Sequence, residues 1–240
     1  MTLLILGGTG DARRIAEALA GTDAVISLAG ATRAPDPLPL PTRLGGFGGE
    51  AGFRAYLAEA GITAVLDATH PYAARITART AAICEGLGLP FLQFLRPGWV
   101  AQPGDNWTEI AREEDAAALI PAGATVFLGT GRQTLERFAN LQGRRVICRQ
   151  IDPPEGPFPF PGGEFLVGRP PFSVADEVAL FSRLGVDVLI VKNAGGAASG
   201  TKLTAARQLG IPVLMIARPP VGDWATVSSV DAALDWVRAL

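Results

Sequence analysis

Apolar runs of strand length alternate along this chain with longer amphipathic runs of helical period. The apolar runs lie at 3–7, 24–29, 64–67, 91–94, 124–128, 145–149, 164–167, 187–191 and 212–216. The amphipathic runs lie at 10–20, 50–60, 71–86, 113–120, 131–140, 173–184, 201–209 and 230–239. Such alternation favours an α/β fold in which crossover helices connect parallel strands.

The strand–turn–helix pattern occurs in both parts of the chain. Leu4–Gly10 and Val126–Gly131 are each an apolar strand that runs into a turn containing Gly-Thr-Gly. We therefore predict two Rossmann-like halves with parallel sheets, residues 1–108 and 109–240, and an active-site cleft between them. The same pattern is compatible with an exchange of strands between the halves.

Composition excludes several classes of protein. Of the 240 residues 48% are hydrophobic and 18% are charged, which is typical of a globular domain. The formal net charge of −2 gives no basic excess for nucleic acid. No apolar stretch reaches the roughly 20 residues of a membrane span. The segment Met1–Gly7 lacks the basic region of an export signal, so we expect a cytoplasmic protein. A single histidine rules out a histidine-based metal cluster, and no metal site is predicted.

The first glycine turn is predicted to bind a nucleotide. Its residues, which follow a strand and open a helix, are Gly7, Gly8, Thr9, Gly10 and Asp11. Such a turn presents backbone N–H groups and the positive end of a helix to a pyrophosphate. The third glycine of the dinucleotide fingerprint is replaced by Arg13, so a plain strand–helix connection is the alternative.

The segment after the second strand favours NADPH over NADH. Domains that prefer NAD usually carry an acidic residue here, which binds the ribose hydroxyl. This chain instead has Ser27, Gly30, Thr32 and Arg33, and the hydroxyls and the guanidinium suit a 2′-phosphate. The alternative is that Arg33 is only a surface charge.

A second glycine-rich turn, 45–49, precedes the helix predicted at 50–60. Its glycines let the backbone approach a ligand closely, and we predict that Gly46, Phe47 and Gly48 contact the cofactor. The alternative is a flexible turn, because glycines mark loops as often as binding sites.

The loop after strand 64–67 is predicted to contact the substrate through Thr69, His70 and Tyr72. Ligands bind at the carboxyl ends of strands in open α/β sheets. His70 carries the side chain whose unperturbed pKa lies near neutrality, which makes it the candidate proton donor. The alternative is that Thr69 or His70 caps a helix whose first residue is Pro71.

A glycine-rich loop in the second half is predicted to bind anions. It is bordered by Lys192 and Lys202, the only two lysines in a chain with 19 arginines. Ammonium groups beside free backbone amides suit the carboxylates of a substrate, and Asn193 is assigned to the same site. Solvated loop lysines are the alternative.

Taken in order, these motifs resemble the precorrin-6A reductase family, which reduces the corrin ring during vitamin B12 biosynthesis. The matching segments span residues 5–203 and are Gly7–Ala12, Gly45–Gly49, Asp67–Ala73, Arg96–Trp99, Lys192–Asn193 and Thr201–Leu203. The resemblance implies hydride transfer from NADPH to a C=C bond of an anionic tetrapyrrole, giving precorrin-6B. Relatives in the anaerobic pathway act on the cobalt-containing ring, so a cobalt-precorrin-6A reductase is an alternative.

Two other functions are weighed against this resemblance. Short-chain dehydrogenases need a tyrosine followed four residues later by a lysine, whereas Tyr56 and Tyr72 are followed by Ala60 and Ile76. That chemistry is therefore disfavoured. A non-enzymatic NADPH-binding sensor remains an alternative because a fold alone does not decide function.

Overall fold

A computed structural model describes residues 2–30 and 36–240 and divides them into two compact units. The first unit holds the described residues up to Pro97 together with Pro219–Leu240, and the second holds Gly98–Arg218. This division differs from the predicted boundaries, 1–108 and 109–240. The difference arises because the C-terminal segment packs with the first unit, in which its last strand completes the sheet.

The described residues form twelve strands and six α-helices. The strands are β1 Thr2–Leu6, β2 Ala24–Leu28, β3 Thr42–Leu44, β4 Ile62–Asp67, β5 Phe91–Phe94, β6 Trp107–Ile110, β7 Thr125–Leu128, β8 Arg145–Gln150, β9 Gly163–Val167, β10 Val188–Lys192, β11 Val213–Ile216 and β12 Thr226–Val227. The helices are α1 Gly10–Ala18, α2 Gly49–Glu59, α3 Ala74–Leu87, α4 Val174–Leu184, α5 Thr201–Leu209 and α6 Val230–Arg238. Short 3-10 helices cover Glu113–Leu119, Arg132–Phe138 and Ala197–Ser199.

Both units contain a six-stranded parallel sheet with the same strand order. The first sheet runs β3-β2-β1-β4-β5-β12 and the second runs β9-β8-β7-β10-β11-β6. Counted from the glycine-turn strand of each unit, five strands of both sheets follow the doubly wound order 3-2-1-4-5. The sixth, outer strand is the last strand of the chain, β12, in the first unit, but β6, which precedes the glycine-turn strand β7, in the second. The predicted α/β class with two Rossmann-like parallel sheets is therefore confirmed. In each sheet the strand order reverses beside the glycine-turn strand, which is where such sheets bind ligands.

Alternating residues of β1 explain why helices cover both faces of the first sheet. Leu3 and Ile5 lie in one buried cluster with Ile15 of α1 and Ala233 of α6. Leu4 and Leu6 lie in a second cluster with residues of α2 and α3. Successive side chains of a strand point to opposite faces, so an all-apolar strand requires a cover on each side.

The second sheet is covered on one face by α4 and α5. Phe127 of β7 and Leu189 of β10 are buried in a cluster with Phe181 of α4 and Leu203 of α5. The ring centroids of Phe127 and Phe181 are 4.9 Å apart. This packing fixes α5 and the loop that precedes it against the strand ends of the sheet.

Three strands were missing from the sequence prediction: β3, β6 and β12. They have only two to four residues, which is too short to show a period, and they gain their pairing from β2, β11 and β5. Strand β6, Trp107–Ile110, also lies across the boundary predicted between residues 108 and 109. The helices predicted at 113–120 and 131–140 are 3-10 helices, and in the second of them Thr134 has non-helical φ and ψ of −116° and 18°.

The two cysteines, Cys84 and Cys148, are free and buried, and burial raises the pKa of each thiol to about 11. Both thiols are therefore in the neutral form that reacts slowly.

No helix in the described stretches is long and apolar enough to cross a membrane.

Candidate active site

The first glycine turn joins β1 to α1 where the strand order of the first sheet reverses. Thr9 caps α1, since its Oγ1 accepts from the N–H of Ala12 at 3.0 Å. The same hydroxyl donates to the carbonyl of Ala68 at 2.9 Å, which ties the turn to the loop after β4. The structure thus brings together two of the segments that the sequence assigned to the site.

Each glycine of this turn has its own geometric reason. A Cβ on Gly7 would lie 2.8 Å from Cδ1 of Ile26, and Gly8 has a φ of +114°. A Cβ on Gly10 would meet no described atom within 4 Å. The space over Gly10, at the N-terminus of a capped helix, is the kind of cradle that a pyrophosphate fills.

Asp11 lies in the first turn of α1, where its carboxylate is paired with Arg14 and Arg96. Burial by itself would raise the pKa of Asp11, but hydrogen bonds from the two guanidinium groups, together with their charge, lower it. Asp11 therefore connects Arg96, from the Arg-Pro-Gly-Trp motif, to the glycine turn.

The other predicted cofactor contacts gather around Arg43. Its guanidinium donates to the carbonyls of Gly45 and Gly46 at 2.5 and 2.8 Å and to Oγ of Ser27 at 3.4 Å. Its Cζ lies 4.0 Å from the centroid of the Phe47 ring. Arg43 was not among the predicted contacts, although an arginine two residues before a glycine-rich turn is a signal that could have shown it.

Four predicted cofactor contacts remain: Gly30 and Gly48, which the structure describes, and Thr32 and Arg33, which it does not. Gly30 has a φ of +80° and Gly48, the N-cap of α2, has a φ of +76°, so both need the left-handed conformation that glycine adopts readily. Thr32 and Arg33 lie outside the described residues.

Asp67 ends β4 and is only 1% exposed. Its Oδ1 accepts from the N–H of Thr69 at 2.9 Å, which shapes the turn that follows the strand. Burial raises the pKa of this carboxyl group, although hydrogen bonds from Thr69 and Thr77 act in the opposite direction.

The loop after Asp67 does not cap α3 in the way that the sequence suggested. The helix begins at Ala74 with Ala73 as its N-cap, and neither Thr69 nor His70 caps it. The N–H of Ala73 donates to the carbonyl of His70 at 2.7 Å, so a separate turn precedes the helix and includes Pro71. That turn leaves the His70 side chain exposed.

His70 and Tyr72 form one local pair. The N–H of Tyr72 donates to Nδ1 of His70 at 3.3 Å, and the two ring centroids are 5.6 Å apart. Because Nδ1 accepts this bond, Nε2 carries the proton of the neutral ring. The pair lies in the loop that follows β4, at the carboxyl end of the first sheet, where open α/β sheets bind their ligands.

The two lysines of the second unit lie in different surroundings. Nζ of Lys192 is 3.9 Å from Oε1 of Glu113, a buried carboxylate that also pairs with Arg137 at 2.9 Å. Burial lowers the pKa of Lys192 despite the attraction of Glu113. The sequence showed no structural partner for Lys192, and the structure provides one.

Asn193 is engaged by the protein backbone. Its Oδ1 accepts from the N–H of Trp99 at 2.7 Å, and its Nδ2 donates to the carbonyl of Trp99 at 3.1 Å. The indole of Trp99 donates to the carbonyl of Gly196 at 3.0 Å. Asn193 and Trp99 therefore hold the loop between β10 and α5 in place.

Lys202 lines a cavity of about 150 Å³ at the strand ends of the second sheet. The cavity is open to solvent on one side. It is lined by the ends of β7, β8 and β9, by the loop before α4 and by the segment that leads into α5, with Gly129, Gln150, Gly168, Phe172, Ser199 and Thr201 among the lining residues. Nζ of Lys202 donates to the carbonyl of Ser199 at 2.6 Å. Burial lowers the pKa of Lys202 to about 8, and the nearby charge of Arg149 acts in the same direction.

Arg149 and Glu177 form the charged wall of this cavity. The guanidinium donates to both carboxylate oxygens at 2.8 and 2.7 Å, and Glu177 is 1% exposed. The pair is neutral overall, so Lys202 is the cavity cation whose charge is available to an anion.

Gln150 is a cavity residue that the sequence reasoning missed. It is 7% exposed, and both Oε1 and Nε2 are buried without a hydrogen-bond partner among the described residues. A polar residue at the end of an apolar strand is the sequence signal that could have found it.

No group of three or more metal-ligating side chains lies together in the part of the chain described here.

These features define the class of protein: two Rossmann-type units, one with a capped glycine turn and one with a cationic cavity. The sequence matches the model of the family described as "Precorrin-6x reductase CbiJ/CobK" over residues 2–238, and the chain belongs to that family.

Two precorrin-6A reductases illustrate the similarity. The enzyme of Rhodococcus erythropolis is 46% identical over 244 residues, which cover 99% of this chain and 98% of that protein. A solved structure titled CobK precorrin-6A reductase superposes with a TM-score of 0.92 at 42% identity and covers 100% of this chain and 97% of its own.

The chain is also similar to relatives named for the cobalt-containing substrate, at lower identity. The cobalt-precorrin-6A reductase of Priestia megaterium is 26% identical over 242 residues, which cover 95% of this chain and 94% of that protein.

Proposed function

We propose that this protein is a precorrin-6A reductase that uses NADPH. The reaction adds a hydride and a proton across one C=C bond of the macrocycle, giving precorrin-6B and NADP⁺. The observation that carries the proposal is the match to the family over residues 2–238, with a glycine turn at the reversal point of a doubly wound sheet. The higher identity to the named precorrin-6A reductases, 46% against 26%, supports the metal-free substrate over the cobalt form.

The first unit is proposed to bind the cofactor. Its glycine turn opens a nine-residue α-helix that Thr9 caps, whereas the matching turn of the second unit leads into a seven-residue 3-10 helix. Aligned peptide dipoles and free N–H groups at an α-helix N-terminus favour a pyrophosphate. The open space over Gly10 fits this group, and bound NADPH would supply the hydride.

The preference for NADPH is proposed to rest on arginines that follow β2 in the sequence. No acidic residue stands among residues 27–35 to accept a ribose hydroxyl, and Arg33 follows in the sequence. Arg43 adds a second guanidinium near Ser27. A 2′-phosphate carries charge that such groups bind by charge-assisted hydrogen bonds.

The second unit is proposed to bind carboxylate side chains of the macrocycle through the cavity around Lys202. The tetrapyrrole presents several acetate and propionate groups, so its recognition requires cations at several places, of which this cavity supplies one. Arg149 is neutralised by Glu177, which leaves the ammonium of Lys202 to attract an anion.

The test is turnover of precorrin-6A by the purified protein with either NADPH or NADH. We expect the nicotinamide absorbance to fall while the tetrapyrrole spectrum shifts, and a product heavier by the mass of two hydrogens. NADPH should bind at least about tenfold better than NADH, which corresponds to ~1.4 kcal/mol. Binding of NADPH without reduction of precorrin-6A or its cobalt form would instead indicate a sensor.

A further inference from the structure

The side chain of Gln150 is buried where the fold gives it nothing to bind. The residue ends β8, and its backbone carbonyl accepts from the N–H of Gly168 at 2.9 Å, so the strand fixes its position. Its Oε1 and Nε2 have no hydrogen-bond partner among the described residues. A buried donor and acceptor left unpaired carry the full penalty of lost hydration. An apolar side chain of similar size would serve the packing better.

The cavity in front of Gln150 is suited to a small polar group. Its volume of about 150 Å³ holds the end of a short aliphatic arm and excludes a whole macrocycle. Phe172 and Pro170 supply apolar wall, while Ser199, Lys202 and Gln150 supply polar groups. Ligand sites commonly combine an apolar lining with a few polar groups that set orientation.

The charges in the cavity select the sign of its ligand. Arg149 is held by both oxygens of Glu177, so that pair offers little net charge. The ammonium of Lys202 has three donors, one of which is directed to the carbonyl of Ser199. The other two donors can bind an anion in the cavity.

We propose that Gln150 is a specificity-determining residue that, together with Lys202, binds the terminal carboxylate of one short side arm of the substrate. Nε2 of Gln150 donates to one carboxylate oxygen, and Lys202 provides the charge. The identity of the arm as part of a tetrapyrrole rests on the proposed function, whereas the preference for a carboxylate rests on the cavity.

Two substitutions test this role by opposite changes in stability and affinity. Gln150→Leu removes both unpaired atoms, so it should leave the melting temperature equal to or higher than that of the wild type. It should raise KM for precorrin-6A about tenfold, with kcat within about threefold. Gln150→Glu places a like charge beside the substrate carboxylate and should raise KM further. Gln142→Glu, the same change at an exposed position of the second unit, is the matched control.

A structural role would give the opposite signature. Gln150→Leu would then lower the melting temperature while KM stayed at the wild-type value, and Gln150→Glu would leave KM equally unaffected. Either result overturns the proposal. If Gln150→Leu fails to fold, the KM of Gln150→Glu decides.

A binding experiment with small probes tests the cavity without turnover. Propionate and propionamide are titrated into the uniformly ¹⁵N-labelled wild-type protein, and the side-chain amide of Gln150 is assigned from its absence in the spectrum of Gln150→Leu. We expect propionate to shift this resonance and propionamide to shift it much less. No shift with propionate, or the same shift with sodium chloride at matched ionic strength, overturns the proposal.

The two experiments separate the possible failures. Propionate binding without reduction of precorrin-6A would refute the proposed function and keep the carboxylate site. Reduction of precorrin-6A with an unchanged KM in both Gln150 variants would keep the proposed function and refute the role of Gln150.

Discussion

Arg149 and Glu177 form a bidentate pair, in which Nη1 of Arg149 donates to Oε2 of Glu177 at 2.8 Å and Nη2 donates to Oε1 at 2.7 Å. The guanidinium of Arg149 also lies over the ring of Phe172, with its Cζ 4.1 Å from the ring centroid. The side chains of Arg149 and Glu177 are 9% and 1% exposed, so each depends on the other for its charge compensation. The pair joins β8 to α4 and shapes the cavity that Lys202 lines.

Removing one member of this pair should destabilise the protein strongly. Arg149→Ala leaves a buried carboxylate unpaired, and we expect the free energy of unfolding to fall by about 3–5 kcal/mol. The matched control is Arg145→Ala, which breaks an exposed pair with Glu164 and should cost less than about 1 kcal/mol. Urea unfolding of both variants measures the difference, and equal losses would contradict the argument.

Gly10→Val should abolish cofactor binding and leave the fold intact. The new Cβ meets no described atom within 4 Å, but its branches occupy the space over the helix N-terminus where a pyrophosphate would lie. Calorimetric titration with NADPH measures the loss, and circular dichroism checks the fold. Gly156→Val, at another glycine with open space around it, is the control. Unchanged affinity for NADPH would place the phosphate site elsewhere.

His70→Ala should raise KM and leave kcat within about tenfold. His70 is exposed and does not cap α3, so the change in stability should also be small, within about 0.5 kcal/mol. Since the accepting atom is a carbon, water or a ring nitrogen of the substrate can supply the proton. Steady-state kinetics decide the matter, because a general acid would lower kcat by roughly 10²–10⁴ when removed.

Lys202→Ala should raise KM for precorrin-6A by about tenfold, the equivalent of losing one ionic hydrogen bond of ~1.5 kcal/mol. Lys192→Ala is the comparison and should have a smaller effect on KM, because Lys192 is directed to Glu113. The affinity for NADPH should stay the same in both variants. If the two substitutions instead weakened NADPH binding and left KM for precorrin-6A unchanged, the second unit would be the one that binds the cofactor.

The pKa of about 8 for Lys202 gives a dependence on pH that can be measured. Above that value the ammonium loses its proton, so KM for the anionic substrate should rise with pH in the wild type. The rise should be absent in Lys202→Ala. Added salt should weaken binding in the same way, by screening, and should affect the variant less.

Asp67→Asn should stabilise the protein at neutral pH. Burial raises the pKa of Asp67 in the folded state above its unfolded value, so its contribution to stability is complete below the unfolded pKa and is lost as pH rises through the folded pKa. Asparagine keeps an oxygen for the N–H of Thr69 and carries no charge. The difference in stability between Asp67→Asn and the wild type should vanish near about pH 3, where aspartate is protonated in both the folded and the unfolded state.

Asp187→Asn provides the control for Asp67→Asn. Asp187 is exposed, and its Oδ2 accepts from the N–H of Thr125 at 2.8 Å, so the substitution makes the same chemical change outside the core. Urea unfolding at several pH values compares the two variants. A similar gain in both, or a loss in Asp67→Asn at neutral pH, would contradict the role assigned to burial.

The sequence by itself determined the class of fold and the position of the glycine turns. A run such as Leu3–Leu6 is apolar on both faces and too short for a helix, so it predicts a buried parallel strand. The turn that follows predicts a helix start, and Gly10–Ala18 confirms it. These signals are local, because they depend on the period of side chains and on the backbone freedom of glycine.

Only the tertiary structure decided which residues meet. The pairing of β12 with β5, of Lys192 with Glu113 and of Asn193 with Trp99 joins positions far apart in the chain, and no local period encodes such contacts. The start of α3 was also decided by the tertiary structure. Pro71 belongs to a separate turn that begins at His70, so the helix starts at Ala74 instead of at Pro71. Gln150 shows the physical reason. The sequence identifies it only as a polar residue at the end of an apolar strand. Whether its side-chain amide has a hydrogen-bond partner depends on the elements that pack around it, which come from distant parts of the chain.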